Sequence, residues 1–179
     1  MWRERDPKQS TDFAFNRFLV PYLSGYTGWS LFMDCDMLVR TDIKYLFDEG
    51  RDRYAVHVVK HEYTPKPEDK FLGQKQTIYA RKNWSSVILF NNAACRQLDP
   101  QSVNRWTGLE LHQFKWLDDA QIGTLPKSYN HLVSEYAPDF SAAIAHFTRG
   151  TPCFPEYRDC EFATEWREEL RDMLTPETV

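Results

Sequence analysis

The sequence predicts an α/β fold, a mixed or parallel sheet flanked by helices, and three observations predict it. Strand-like apolar runs alternate with helical patterns along the chain. One of those runs, Val87 to Phe90, is a continuous β-branched and aromatic stretch of the kind that forms a core strand covered on both faces. A chain of 179 residues with 42% hydrophobic and 15% aromatic content also carries enough apolar area for one globular domain, taken as residues 1–179.

Each element has its own signal. From Ser10 to Leu23, residues Phe15, Phe18, Leu19, Tyr22 and Leu23 fall near helical spacing, with Ser10 or Thr11 as N-cap and Pro21 kinking or ending the run. Gly25 and Gly28 break the chain before a buried strand, Trp29-Ser30-Leu31-Phe32-Met33. A helix is expected at Asp42 to Phe47, capped by Thr41. Further strands are expected at Tyr54 to Val59, Val87 to Phe90 and Ala142 to His146. Between them Glu62 to Thr77, with two prolines, a glycine and many charges, reads as a long surface loop. At the end Phe162, Trp166, Leu170 and Met173 or Leu174 form the stripe of an amphipathic helix packed on the body.

Composition removes several function classes. With 22 Lys+Arg against 26 Asp+Glu the chain carries −4, which excludes a general nucleic-acid binder that needs clustered cations. The longest uncharged stretch, Phe18 to Met33, is interrupted by Pro21, Gly25 and Gly28 and is no membrane span. The first residues lack an apolar run and include Glu4 and Asp6, so a cytoplasmic location is expected. Cys35, Cys95, Cys153 and Cys160 show no CxxC or zinc-ribbon spacing, and reduced thiols are the expectation.

The strongest chemical signal is Asp34-Cys35-Asp36 at the end of the first apolar strand. Side chains alternate along a strand, so both carboxylates point to one face. Held close they repel unless a proton or cation lies between them, and hard oxygen ligands suit Mg²⁺ or Mn²⁺ bridging to phosphate oxygens. Ligands of open α/β sheets bind beyond the carboxyl ends of strands, which is where these acids lie. The competing reading is a turn in which one Asp caps the next element. Arg17, just before this strand, offers paired donors for a phosphate, or is a solvated helix-face charge. His61, Arg81 and Lys82 read as solvated, and Trp106 and Trp116 as core.

Ser10-Thr11-Asp12-Phe13, Arg17 to Leu23, Leu31 to Val39, then Asp42-Ile43 and Leu46-Phe47 resemble the central block of family 8-type glycosyltransferases. Trp84 to Asn91 is similar to that family's Asn-Ser-Gly-Val strand, Leu125-Pro126 to Tyr129-Asn130 to its next segment, and Ala145-His146-Phe147-Thr148 to its metal-binding histidine. The blocks occur in family order over Ser10 to Pro152. The resemblance implies a GT-A, Rossmann-like fold and a retaining transfer from a nucleotide sugar, a UDP-sugar, to an acceptor that is a sugar, lipid or protein. It implies a metal held by Asp34, Asp36 and His146, Mn²⁺ or alternatively Mg²⁺, with the nitrogen ligand favouring manganese. It further implies nucleotide-sugar contacts from Arg17, Ser85, Arg149 and Gly150, and sugar contacts from Asp119 and Asp118.

Three departures stand out. Almost nothing precedes Ser10 where the family holds the nucleotide base, so a shortened GT-A domain is expected, with weak base discrimination and an exposed edge that favours self-association. Asn-Ser-Gly becomes Trp84-Ser85-Ser86, and Asp-Gln-Asp becomes Leu117-Asp118-Asp119. The family's Lys before Pro-Trp is missing, and Arg149 offers a replacement charge at a different position. Two alternatives remain open. A strand followed by DxD also describes a haloacid-dehalogenase-type phosphohydrolase, with Asp34 as nucleophile and Asp36 as acid/base. The other is a non-catalytic glycosyltransferase remnant.

Overall fold

The computed structural model describes residues 14–62 and 80–175. Among them are seven strands: β1 (Trp29–Met33), β2 (Met37–Val39), β3 (Val56–Val58), β4 (Val87–Asn91), β5 (Ile122–Thr124), β6 (His131–Leu132) and β7 (Ile144–His146). Five α-helices accompany them: α1 (Val20–Leu23), α2 (Lys44–Phe47), α3 (Pro100–Arg105), α4 (Gly108–His112) and α5 (Ala163–Leu174). These elements group into two compact units, one built on residues 14–34, 43–62 and 80–126, the other on 35–42 and 127–175. No described helix is long and apolar enough to cross a membrane.

The first unit is a four-stranded sheet in the order β1-β4-β3-β5. β4 runs antiparallel to both β1 and β3, and β3 pairs parallel with β5, so the sheet is mixed. Val87, Ile88, Leu89 and Phe90 are fully buried, which confirms the double-faced strand expected from their unbroken apolar run. One face of the sheet packs into a core of Phe15, Phe18, Val56, Val58, Ile88, Phe90, Leu98, Val103, Leu111 and Phe114. Trp106 and Trp116 lie against that core, as the sequence suggested. The other face carries His57, whose register partner on β5 is Gly123. A Cβ on Gly123 would stand 2.5 Å from the His57 ring, so only glycine permits this close approach.

The expected helix before β1 is a 3-10 turn, Asn16–Leu19, that runs into α1, and its expected N-cap falls outside the described residues. Pro21 opens α1 rather than ending the run, because a first-turn N–H has no intrahelical acceptor to lose. α2 starts at Lys44 after Ile43, with no side-chain cap, so Thr41 does not cap it. A single turn is fixed by burial of Leu46 instead. Nearly all of the long charged loop expected at Glu62 to Thr77 also lies outside the described residues.

The second unit is a three-stranded sheet, β2-β7-β6, antiparallel between β2 and β7 and parallel between β7 and β6. Its core is small: Leu38, Val133, Ala142, Ala145, Phe147 and Phe162, with Cys160 and Trp166 against it. Arg40 binds both carboxylate oxygens of Glu165 at 2.5 and 3.1 Å and stacks 4.3 Å from the Phe162 ring, fixing the start of α5. The apolar stripe expected on α5 packs only at that end, and Met173 and Leu174 are exposed. A 12-residue helix is about 18 Å long, whereas three-residue strands cover about 10 Å, so α5 outruns its sheet.

Candidate metal centre

The two carboxylates of the acidic motif are anchored differently. Asp34 follows β1 directly, and its N–H donates to Ser86 O at 3.0 Å, carrying the β1/β4 ladder one step further. Its carboxylate receives both terminal nitrogens of Arg17, at 2.8 and 3.5 Å. The same guanidinium donates to Ala14 O and Ser85 O and lies 4.7 Å from the Phe32 ring. Arg17 is therefore neither solvated nor turned away from the motif: it is the clamp on Asp34. A fork of this kind fixes a carboxylate plane as a single ammonium could not.

Ser85 sits beside this clamp. It belongs to a 3-10 turn, Trp84–Ser86, entered through Asn83 in the left-handed region at φ 62°. Its hydroxyl bonds His112 Nδ1 at 2.7 Å, and its side chain is almost wholly buried. Sequence reasoning missed His112, since nothing in α4 distinguishes it from an ordinary residue of an amphipathic turn.

Asp36 belongs to the second unit, where Phe147 N–H donates to its carbonyl at 2.9 Å. The next residue, Met37, pairs in register with His146, so the backbone ladder brings the Asp36 carboxylate and the imidazole together. Asp36 Oδ1 lies 3.3 Å from His146 Nε2. On the other side of the ring His146 Nδ1 meets Asn130 Oδ1 at 2.8 Å, a donation from Nδ1–H. That leaves the Nε2 lone pair facing a carboxylate oxygen. Two lone pairs at this distance repel unless a proton or a cation lies between them, and an oxygen and nitrogen pair is a donor set that Mn²⁺ or a similar divalent ion accepts. His146 is 3% exposed, whereas the Asp36 side chain is 36% exposed, so the pair opens to ligands through Asp36. Asp34 stands two positions earlier in the chain, so covalent geometry alone keeps its Cα within about 7 Å of the Asp36 Cα.

The remaining expected residues have contacts of their own. Arg149 faces Glu135 at 3.9 Å, and Gly150 has φ 154° with the Tyr157 ring where a Cβ would stand. Asp118 forms a reciprocal capping box with Gln121, the turn-capping alternative to a sugar contact. Asp119 is largely exposed and pairs with Arg81, which also donates to Gln113 O. The solvated reading of His61 and Lys82 does not hold: both are buried, at 5% and 6% exposure. Arg81 is engaged by Asp119 rather than free in solvent.

No protein-family model matches the chain. Among solved structures, the galactosyltransferase LgtC in complex with donor and acceptor sugar analogs aligns with a TM-score of 0.54 at 15% identity, over 94% of this chain and 69% of LgtC. The apo form of the glycosyltransferase GlyE of Streptococcus pneumoniae TIGR4 aligns with a TM-score of 0.53 at 15% identity, over 89% of this chain but only 43% of GlyE. These likenesses show the fold, a mixed α/β architecture of the GT-A glycosyltransferase kind. The sequence itself is 46% identical over 178 residues to Protein CDI of Arabidopsis thaliana, across 96% of this chain and 69% of that protein. At that identity and coverage, the chain belongs to the family of Protein CDI.

Proposed function

We propose that this chain is a metal-dependent glycosyltransferase of family 8 type that moves a sugar from a nucleotide sugar, a UDP-sugar, to an acceptor with retention of configuration. The observation that supports this most is the His146 and Asp36 pair, a nitrogen and an oxygen ligand atom facing each other at 3.3 Å where the acidic motif meets its sheet. Asp34, Asp36 and His146 are the residues to hold that ion. When bound, a divalent cation supplies charge neutralisation for the departing diphosphate.

The chain's own residues do the rest. Arg17 holds the Asp34 carboxylate in one orientation, so the ligand is set before any ion arrives. Ser85, its hydroxyl bonded to His112 and its carbonyl accepting from Arg17, braces the clamp beside the donor. Arg149 adds a cation and Gly150 a stretch of bare backbone for the diphosphate; Asp119, exposed beside Arg81, is the carboxylate to accept from sugar hydroxyls, while Asp118 caps its turn. The phosphohydrolase alternative needs a second acidic pair behind a buried strand. Residues 113–116 form turns and 117 a bend, and Asp118 and Asp119 cap and pair as described.

Incubation with a panel of UDP-, GDP- and CMP-sugars and Mn²⁺ tests the reading. Release of nucleoside diphosphate from a UDP-sugar, with retained configuration in the anomeric proton NMR signal, is expected. Turnover of simple phosphate esters alone would make it a phosphohydrolase, and absence of any turnover would favour a remnant.

A further inference from the structure

We propose that Asn130 is a positioning residue that selects the tautomer of His146, and so decides which nitrogen of the imidazole is offered toward Asp36. Asn130 is fully buried at the end of a 3-10 turn, Lys127–Asn130, directly before β6. β6 runs parallel to β7, with His131 opposite Ala145 and Leu132 opposite His146. The pairing carries Asn130 alongside the imidazole although 16 residues separate them, and its amide oxygen lies 2.8 Å from Nδ1.

A neutral imidazole carries one N–H, and a carbonyl-type oxygen can only accept. With the proton on Nδ1 for Asn130, the lone pair falls on Nε2, the nitrogen 3.3 Å from Asp36 Oδ1. The opposite tautomer would set Nε2–H against Asp36 as an internal hydrogen bond and leave no nitrogen for an ion. With its amide oxygen toward Nδ1, as it stands in this structure, Asn130 favours the open ligand pair over the closed His146–Asp36 pair. Outer partners that orient a ligating histidine typically change metal affinity about 10–100-fold when removed. Burial sharpens the preference, because at 3% exposure the imidazole has little water to satisfy Nδ1 instead.

The inference rests on the metal reading of Asp36 and His146 for its purpose, but not for its test. Nitrogen-15 NMR of the metal-free protein, at mildly alkaline pH with labelled histidine, reads the tautomer directly. A proton on Nδ1 and none on Nε2 of His146 supports the proposal. A proton on Nε2, alone or together with Nδ1, overturns it whether or not any ion binds. Two variants extend the test through Mn²⁺ calorimetry. Asn130→Leu, which removes the acceptor at similar volume, is expected to weaken Mn²⁺ about 10–100-fold and to populate the Nε2–H tautomer. Asn130→Asp restores an acceptor and is expected to keep the wild-type tautomer and an affinity within a few fold. Equal affinity and the wild-type tautomer in Asn130→Leu would overturn the assignment. If Asn130→Leu fails to fold, the wild-type spectrum still decides. Failure of the wild type to bind Mn²⁺ would count against the proposed function, while the spectrum would judge Asn130 separately.

Discussion

The two units solve the same folding problem by different means. The first rests on apolar burial: its double-faced β4 is fully enclosed, and large side chains such as Phe18, Phe90 and Phe114 have no exposed surface. Its one buried histidine of the sheet, His57, lies against Trp29 and Tyr54, and neither ring nitrogen has a hydrogen-bond partner among the described residues. The second unit has a small apolar core and substitutes polar pairs. His131 meets Glu161 at 3.0 Å with both side chains under 10% exposed, Glu161 also accepts from Asp139 N–H, and Asn130 holds His146. Apolar packing tolerates exchange of similar volumes, whereas a buried polar pair fails when either member is removed. The unit that presents Asp36 and His146 is the one whose geometry is specified by hydrogen bonds, as a ligand set requires.

This contrast breaks most visibly at His131. His131→Ala leaves Glu161 buried without its imidazole, and a loss of about 3 kcal/mol is expected in chemical denaturation. Replacing both by leucine is expected to recover much of it, since exchanging both members of a buried hydrogen-bonded pair for apolar groups can be nearly neutral. In the first unit Phe90→Ala is expected to cost a similar ~3–5 kcal/mol through transfer and cavity effects, with no partner whose replacement rescues it.

Protonation sharpens the comparison. Burial first, then the charges of Arg51 and Arg53, push the His57 pKa down from 6.5 to about 4. Because the folded-state value is depressed, the unfolded chain takes up a proton first as pH falls. Stability is full above pH 6.5 and declines toward pH 4, by about 3 kcal/mol at 1.36 kcal/mol per unit. Thermal unfolding of wild type against His57→Leu checks this: the variant's decline over that window is expected to be shallower.

Gly123→Ala tests the same contact by shape. A Cβ there meets the His57 and Tyr54 rings, and about 1–3 kcal/mol of destabilisation is expected, relieved in part by His57→Ala. The smallest effect is at α3. Asp99 accepts from Ser102 N–H at 2.8 Å, and that bond is the largest cause of its lowered pKa. Asp99→Ala is expected to cost about 1 kcal/mol near neutral pH, and the difference from wild type should shrink in acid as the carboxylate protonates.

The parts legible in the sequence were those with local patterns. β1 and β4 announced themselves as apolar runs, and the acidic motif lay at the end of a strand as read. What stayed hidden was short or long-range. β2, β5 and β6 have two or three residues each, too few to show a period. The Asn130 and His146 contact exists only because β6 and β7 pair in parallel. Arg17 gave no sign of whether it served a ligand or Asp34, since its partner was fixed by tertiary packing.

The central claim is that the acidic motif and His146 hold a divalent ion. Calorimetric titration of Mn²⁺ into wild type and Asp36→Asn tests it most directly, because the substitution keeps the side-chain shape and removes the charge facing Nε2. The account predicts saturable binding to the wild type, accompanied by a rise in melting temperature, and loss of both in the variant. Equal affinity in the two proteins would contradict it.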